Sequence, residues 1–401
     1  EGLNNSHVVI FDIHSEYRTA FPEARVLGVE DLALPYWLLN EEEMEEMFLE
    51  SGDHNNYNQE SILRTVVTLC KKGKNPGAKK IYFDSPLKYD IAEMVNCLMN
   101  LTRETKEAEN PLHVVTADDN KTFADEEEKL LWYCGKRHSF APAQRASKEK
   151  MGINKGAYAD GSIDKFVRRL SAKIGNPRLD FIFGDKASGM NFEEVLEQLM
   201  GYGKKDSANV TILDLSGIPF EVLSITVSLI TRLLFDYSYY FRRSTGRCDT
   251  PLLLVYEEAH KYAPKSELAR FRASLTAIER VAKEGRKYGV SLLIASQRPS
   301  EISETIFAQC SNFLAMRLTN PDDQAYVRRL LPDTLGNLTA GLPALEAGEA
   351  LLIGDSVIMP CVVYVTQCKP EPSSSDIPYY QIWKEAWKSV DFGSVTKEWR
   401  K

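Results

Sequence analysis

The sequence predicts an α/β protein whose core is a largely parallel β-sheet with flanking helices, split by a mostly helical insertion. Short apolar runs of strand character alternate with helical stretches near the start of the chain and again after residue 204. With 401 residues, 43% of them hydrophobic, the chain can bury a large core. We divide it into two parts of the core (1–40 and 205–368), an insertion (41–204), and a linker with a C-terminal tail (369–401).

The first predicted element is a strand in HVVIFDIHSEY, where the apolar run from His7 to Phe11 ends in Asp12. Bounded apolar runs are typical of strands buried in a parallel sheet. Asn40 then predicts the start of a helix, because it can cap a first turn that holds three glutamates. Helical patterns dominate the insertion, and a polar, glycine-containing stretch (135–161) interrupts them.

Beyond Gly203, strands and helices alternate. Strands are predicted in NVTILDLSGIP, PLLLVYEE and VSLLIASQRP, separated by helices over Phe220–Tyr240 and Ser266–Tyr288. Three more strands, in NFLAMRL, EALLIGD and MPCVVYVT, follow, with a short helix through Arg328 among them. KPEPSSSDIP is a linker by composition, and the aromatic segment after it predicts a short helix or tail.

Composition excludes several classes of protein. No apolar run reaches transmembrane length, since the nearest candidate, FEVLSITVSLITRLLF, contains Glu221 and Arg232. We expect no signal peptide and no membrane association. Seven scattered cysteines without a C-x-x-C pair predict neither a disulfide framework nor a zinc site, and they favour a reducing cytoplasm. The histidines form no spaced cluster, so we predict no histidine metal ligand and no Ser-His-Asp set.

The charge is unevenly distributed along the chain. The net charge is −8, yet residues 136–173 contain ten Lys or Arg and three acids. Such a stretch is typical either of a surface that faces a polyanion or of an ordinary solvated loop and helix, and the sequence leaves both interpretations open. The candidate nucleic-acid contacts that we single out in it are Lys148, Lys150, Lys155, Arg168 and Arg169.

Glu257 and Glu258 end the apolar strand in LLLVYEEAHKYAP. In an open α/β sheet, side chains at the carboxyl ends of strands face the crevice where ligands bind. One carboxylate could there hold a water of a Mg²⁺ shell, and the next could polarise a water for attack on a phosphoryl group. The alternative is that both glutamates are charges that begin the next helix.

The following strand also ends in polar residues, Ser296, Gln297 and Arg298. Glutamine orients the attacking water in several nucleotide hydrolases. The alternative, an ordinary turn before Pro299, explains the proline but not the Gln-Arg pair.

Two further groups are candidates for the same chemistry. Arg286 and Lys287 lie just past the end of a predicted helix, where they could complement the helix dipole or reach the phosphate of a neighbouring subunit as an arginine finger. The residues alone do not choose between these roles. Asp12, at the carboxyl end of the first strand, and Glu16, four residues later, are candidates for the crevice.

One expected pattern is missing. A phosphate-binding loop needs G-x-x-x-x-G-K-[ST], in which backbone N–H groups and a lysine hold the phosphates. GKNPGAKK has Ala78 where the second glycine is required, and GINKGAYADGS has Ser162 where the lysine is required. The pattern occurs nowhere in the 401 residues.

Several segments together resemble the HerA family of hexameric DNA-translocating ATPases, in the HerA–FtsK branch of the RecA-like P-loop proteins. FDIHSEY is similar to the family segment V-x-D-x-H-G-E-Y, with Ser15 where glycine is usual. LLLVYEEAHKYAP resembles the Walker B strand, and KEGRKYGVSLLIASQRPSEI and CSNFLAMRLTNPDDQ resemble the arginine-finger and sensor segments. In the family a β-barrel and the P-loop precede the first of these segments. We therefore expect truncation or disorder before His7.

The resemblance implies a RecA-like ATPase core and a role for each matching residue. Glu257 corresponds to the Mg²⁺-side acid, Glu258 to the water-activating acid and Gln297 to the γ-phosphate sensor. Arg286 corresponds to the trans-acting arginine. Lys287 lies beside that arginine, and Asp12 and Glu16 match acids that follow the family's P-loop helix. Together with Arg298 of the strand end, these three are our candidate nucleotide-binding residues.

The resemblance further implies ATP and Mg²⁺ as cofactors and a homo-hexamer with DNA in its central channel. A nuclease or an NAD-hydrolysing effector is the implied protein partner, in DNA end processing or anti-phage defence. A structural ring that uses nucleotide to scaffold an effector enzyme, with little DNA movement, is the alternative function. A protein that has lost its phosphate loop and no longer hydrolyses ATP is a second alternative.

Overall fold

The computed structural model describes residues 5–50, 54–147, 151–202, 208–265, 272–329, 333–374 and 377–399. A central parallel sheet with helices packed against it confirms the predicted α/β fold, and two smaller antiparallel sheets accompany it in these residues. The strands are β1 His7–Asp12, β2 Arg25–Leu27, β3 Thr105–Glu107, β4 His113–Val115, β5 Asn120–Thr122, β6 Ile153–Lys155, β7 Val210–Asp214, β8 Leu252–Tyr256, β9 Val290–Ile294, β10 Asn312–Ala315, β11 Glu349–Gly354 and β12 Cys361–Tyr364.

The helices follow the predicted alternation. They are α1 Glu41–Phe48, α2 Asn56–Lys74, α3 Ile91–Leu101, α4 Glu126–Gly135, α5 Asp164–Ile174, α6 Asp180–Phe183, α7 Asp185–Gly189, α8 Phe192–Leu199, α9 Phe220–Thr245, α10 Arg272–Glu284, α11 Glu304–Gln309, α12 Pro321–Arg328, α13 Tyr379–Ile382 and α14 Phe392–Trp399. Among the described helices, α9 included, none is both long and apolar enough to span a bilayer.

The central sheet has the strand order β2-β7-β1-β8-β9, and every neighbouring pair is parallel. β1 lies in the middle, and its residues Val9, Ile10 and Phe11 are at most 3% exposed, which explains its unbroken apolar run. Phe11 pairs with Leu213 of β7 and with Tyr256 of β8, so the residues that follow all three strands meet at one edge. The short strand β2 has no counterpart among the predicted strands.

Helix starts follow the predicted capping chemistry. The Asn40 side chain accepts a hydrogen bond from the N–H of Glu43 at 2.8 Å, and the Glu43 carboxylate accepts one from the N–H of Asn40 at 2.9 Å. The predicted helix from Phe220 extends to Thr245 and ends at Gly246, whose φ of +73° explains the glycine. α9 packs along α10 on the central sheet.

The insertion contains a second sheet, of order β5-β4-β3-β6, that a mostly helical prediction misses. Its strands have three residues each and no clear apolar alternation, so sequence periodicity does not mark them. Glu104, directly before β3, is buried and forms an ion pair with Lys129 of α4 at 2.7 Å. The apolar side chains of the insertion are continuous with the core around β1, so the domain limits at 41 and 204 stay an interpretation.

The last three predicted strands form a separate antiparallel sheet, β10-β11-β12, rather than an extension of the parallel one. β11 and β12 are joined by a short loop, and short loops connect antiparallel strands. The linker contacts the segment after β1, where the N–H of Ser373 donates to the carbonyl of Glu16 at 2.9 Å. The tail after it carries exposed aromatic residues, Trp383 and Trp399 among them.

Candidate functional site

The carboxyl ends of the parallel strands lie along one side of the central sheet, which we call the carboxyl edge. Acidic residues occupy it on three neighbouring strands: Asp12 ends β1, Asp214 ends β7, and Glu257 and Glu258 come directly after β8. Gln297 follows β9 close by. The topology therefore brings the main predicted residues to one edge.

Asp12 organises the loop that follows β1. Its side chain is buried, and Oδ1 accepts hydrogen bonds from the N–H groups of His14 at 3.2 Å and Glu16 at 3.3 Å. Oδ2 accepts another from the N–H of Tyr17 at 3.0 Å. These hydrogen bonds satisfy three backbone N–H groups of a tight turn, so Asp12 fixes the conformation of this loop at the carboxyl edge. A direct contact of Asp12 or the half-buried Glu16 with nucleotide stays a prediction.

Ser15, the departure from the family pattern, lies at the tip of this loop. Its φ is +58°, in the left-handed region that favours glycine, which explains why glycine is usual there. The Ser15 hydroxyl donates to Oδ2 of Asp214 at 2.7 Å. The serine thus keeps the turn and ties the loop to the end of β7.

Glu257 is a buried carboxylate among other acids. It is 7% exposed, and its Oε2 accepts a hydrogen bond from the N–H of Ile13 at 3.0 Å. Burial, together with the neighbouring Asp12 and Glu16 charges, raises the pKa of Glu257 to about 7. A cation placed here would favour the ionised carboxylate.

Glu258 is held in an unusual backbone conformation. Its φ and ψ are 46° and 44°, in the left-handed region, which costs a non-glycine residue roughly 1–3 kcal/mol. Only a 3₁₀ turn, Ala259–Lys261, follows it, and α10 is described from Arg272. Both glutamates are buried, and Glu258 caps that short turn, so the alternative in which they begin the next helix applies here to a 3₁₀ turn with Glu258 at its start.

The polar residues after β9 are more exposed. The Ser296 hydroxyl accepts a hydrogen bond from the N–H of Arg298 at 3.0 Å, which shapes the turn around Gln297. The Gln297 side chain is exposed at the carboxyl edge. The Arg298 guanidinium forms an ion pair with Glu301, in which Nη1 donates to Oε1 at 2.7 Å.

Arg286 and Lys287 lie at the opposite side of the sheet. They belong to a 3₁₀ helix, Gly285–Tyr288, which only Gly289 separates from β9. The five residues of β9 separate them from the carboxyl edge by about 16 Å. Both side chains are exposed, and within one chain the structure does not bring Arg286 to the glutamates.

Comparison with known proteins identifies the family. The family model described as the central domain of helicase HerA matches residues 2–234. The chain belongs to the HerA helicase family. It is 30% identical to the DNA double-strand break repair helicase HerA of Sulfurisphaera tokodaii over 356 residues, which make up 84% of this chain and 68% of that protein. HerA of Saccharolobus solfataricus is 25% identical over 353 residues, 82% of this chain and 68% of that protein.

Solved structures support the same fold. VirB4 of Thermoanaerobacter pseudethanolicus superposes with a TM-score of 0.50 and 12% identity over 94% of this chain and 84% of that one. The bacterial conjugative coupling protein TrwB, as the TrwBdeltaN70 form, gives the same TM-score and identity over 91% of this chain and 78% of that one. As a HerA family member, the protein is an enzyme of the ATPase and helicase class with the fold of P-loop ATPases.

The candidate nucleic-acid contacts of this HerA chain are spread over the insertion. Lys155, on β6, and Arg168, on α5, are exposed. Arg169 is partly buried, and its guanidinium contacts Oε2 of Glu50 and the carbonyl of Phe48, each at 3.1 Å. Lys148 and Lys150 lie outside the described residues.

Several residues of the carboxyl edge were not singled out from the sequence. Asp214 ends a strand as Asp12 does, and that shared pattern could have marked it. Nζ of Lys261 lies 3.1 Å from Nε2 of His14, which places a cation beside the acids. Tyr17 packs against them, and burial together with their charges raises the pKa of its hydroxyl to about 12. No local sequence signal marks these contacts, since they join segments far apart in the chain.

Proposed function

We propose that this HerA chain is the ATP-hydrolysing subunit of a ring-shaped, hexameric DNA translocase or helicase. The observation that carries the proposal is the buried pair Glu257 and Glu258 at the carboxyl edge, beside the turn that bears Gln297. A low-exposure carboxylate next to the γ-phosphate can accept a proton from the attacking water, and an amide can orient that water. Glu258 takes the first role and Gln297 the second.

The acids of the carboxyl edge fit a Mg²⁺·ATP complex. Mg²⁺ prefers oxygen ligands, keeps several waters, and uses only one or two carboxylates together with the phosphates. In keeping with that mode, no group of three His, Cys, Asp or Glu side chains among the described residues could hold a metal by itself. Glu257, whose pKa is raised by burial, is the carboxylate that would hold a water of the ion. When bound, the ion supplies charge neutralisation on the phosphates.

Arg286 fits a role in trans. Arg286 precedes β9, at the end of the strand away from the glutamates, so it is unsuited to the ATP site of its own chain. Its exposed side chain can reach the ATP site of a neighbouring subunit. An arginine finger stabilises the charge that develops on the transferred phosphoryl group. In a ring, each ATP site would then combine Glu258 of one subunit with Arg286 of the next.

DNA is the proposed track, held in the central channel. The relatives named DNA double-strand break repair helicases support this assignment. Lys155 and Arg168 are the exposed candidates for phosphate contacts, whereas the ion pair of Arg169 with Glu50 makes Arg169 the weaker candidate. A nuclease or an NAD-hydrolysing effector is the proposed partner, in DNA end processing or anti-phage defence, and cytoplasm the proposed location.

The experiment is Glu258→Gln in the full-length protein. We expect ATP turnover and movement on duplex DNA to fall together by 10²-fold or more, as removal of a catalytic base does. Glu109→Gln, an exposed glutamate in the insertion, is the matched control and should leave both unchanged. Unchanged turnover in Glu258→Gln would contradict the assignment. Lost turnover with intact ring assembly and effector function would favour the scaffold alternative.

Mixing variants tests the shared site. Subunits with Arg286→Ala and subunits with Glu258→Gln should each be inactive, and mixed rings should regain part of the activity because some sites pair an intact Glu258 with an intact Arg286. Arg178→Ala, an exposed arginine of the insertion, should remain active by itself. Absence of recovery would leave Arg286 as a cation at a helix end.

A further inference from the structure

His260 connects the residues that follow β8 with those that follow β9 at the carboxyl edge. Its Nδ1 lies 3.2 Å from Oε2 of Glu258 and 3.0 Å from Oγ of Ser296, two residues after β9. The side chains of His260 and Glu258 are only 13% and 11% exposed. A second link runs beside it, since the N–H of Ala259 donates to the carbonyl of Ala295 at 3.0 Å. Another runs from the N–H of Ala295 to the carbonyl of Tyr256 at 2.9 Å, so backbone hydrogen bonds and a side-chain bridge together tie the exits of β8 and β9.

The two contacts of Nδ1 suit one tautomer of the ring. A carboxylate without a proton only accepts hydrogen bonds, so a hydrogen on Nδ1 fits the contact with Glu258, and the Ser296 oxygen can accept as well. The Ser296 oxygen also accepts the N–H of Arg298, which anchors the hydroxyl in the turn that bears Gln297. A tautomer protonated only on Nε2 would place the Nδ1 lone pair against the carboxylate.

Glu258 needs such support because of its backbone. The left-handed conformation with φ of 46° turns its side chain into the crevice, where the described contacts give it one partner side chain, His260. A carboxylate without that partner would have other rotamers open to it, and the water it polarises would be misplaced.

We propose that His260 is a positioning residue that holds the Glu258 carboxylate in its productive orientation and couples it, through Ser296, to the turn that carries Gln297. This inference rests on the proposed ATPase function. His260 itself touches neither nucleotide nor water in this proposal. Its loss should therefore lower kcat for ATP and leave KM nearly unchanged, whereas a histidine that only fills the core would act through folding stability.

Substitutions at His260 test whether the nitrogen that contacts Glu258 and Ser296 has to be at the position of Nδ1. Asparagine places its side-chain amide near the position of Nδ1, and glutamine places its amide farther out, near Nε2. We expect His260→Gln to lower kcat by roughly 10- to 100-fold, the effect of about 1 Å of misplacement, with KM within twofold. His260→Asn should recover most of the loss, and Ser296→Ala should lower kcat less than His260→Gln. His54→Asn, an exposed histidine far from β9 in sequence, is the control.

Ring ¹⁵N chemical shifts of the complete protein labelled at histidine provide a readout that does not need ATP turnover. They should show His260 protonated at Nδ1, and Glu258→Gln should shift that nitrogen. Protonation at Nε2 alone, wild-type kcat in His260→Gln, or equal losses in His260→Asn and His260→Gln would each overturn the proposal. If wild-type protein hydrolysed no ATP but gave the Nδ1 signal, the ATPase function would fail while the contact itself would stand.

Discussion

The buried ion pair between Glu43 and Arg232 offers a quantitative test of how the insertion is attached to the core. Glu43, on α1, has a fully buried side chain, and the Arg232 side chain on α9 is 17% exposed. The guanidinium donates to both carboxylate oxygens, at 3.0 and 2.8 Å, and to the carbonyl of Leu38 at 2.6 Å. Ser228 adds a hydrogen bond to Oε1 of Glu43 at 2.9 Å.

Arg232→Met keeps the length of the side chain and removes its charge. It leaves the Glu43 carboxylate buried without a counter-ion, and breaking a buried pair from one side costs about 3–5 kcal/mol. Arg280→Met is the matched control. Arg280 also pairs with an aspartate of α9, Asp236 at 3.1 Å, but its side chain is 44% exposed, so its loss should cost at most about 1 kcal/mol.

Urea unfolding followed by tryptophan fluorescence measures both losses, and a second spectroscopic probe checks that the transitions coincide. The double variant Glu43→Met/Arg232→Met should be more stable than Arg232→Met, because it removes the uncompensated charge. An Arg232→Met loss no larger than that of Arg280→Met would refute the reasoning. A double variant less stable than the single one would show that hydrogen bonds, and not buried charge, set the cost.

Three further predictions follow from single residues. Burial lowers the pKa of Lys71 from 10.5 to about 8. Between these two pH values the unfolded state binds one more proton than the folded state. The free energy of unfolding should therefore rise by on the order of 3 kcal/mol from pH 8 to 10.5. Urea unfolding measured at several pH values should show no such rise for Lys71→Met, whereas the exposed control Lys72→Met should keep it. A rise in both variants would refute the assignment. Because burial raises the folded pKa of Glu257, wild type should lose stability relative to Glu257→Gln as pH increases from about 4.5 to about 7, and a constant difference in melting temperature would contradict this. Ser15→Val should destabilise by about 1–3 kcal/mol in urea unfolding, since a β-branched residue fits φ of +58° poorly and loses the bond to Asp214; Ser15→Gly should cost less, and equal losses would argue against backbone strain.

The position of the main candidate site follows from sequence because parallel strands share one direction. Once Asp12, Glu257 and Gln297 are recognised as ending or following parallel strands, their meeting at one edge needs no knowledge of side-chain packing. The capping box is equally local, since two residues three positions apart, Asn40 and Glu43, determine it. Such features depend on neighbours in the chain or on a general rule of topology.

Other features depend on contacts between distant segments, which periodicity does not encode. β2 has only three residues, Arg25–Leu27, and becomes a strand because β7 offers it a partner. β10 and β11 have the same apolar character as the core strands, yet they pair antiparallel in their own sheet. The bridge from His260 to Ser296 spans 36 residues and depends on the left-handed backbone of Glu258.

The direction of β9 bears on how an ATP site could be completed. Gln297 follows the strand and Arg286 precedes it, so both flank the same five residues at opposite sides of the sheet. In the proposed role, Arg286 would therefore act on a site other than that of its own chain. Repeated by rotation, such a head-to-tail contact closes into a ring in which every site is shared by two subunits. The proposed role of Arg286 therefore requires the proposed ring, and recovery of activity in the mixed-subunit experiment would support both.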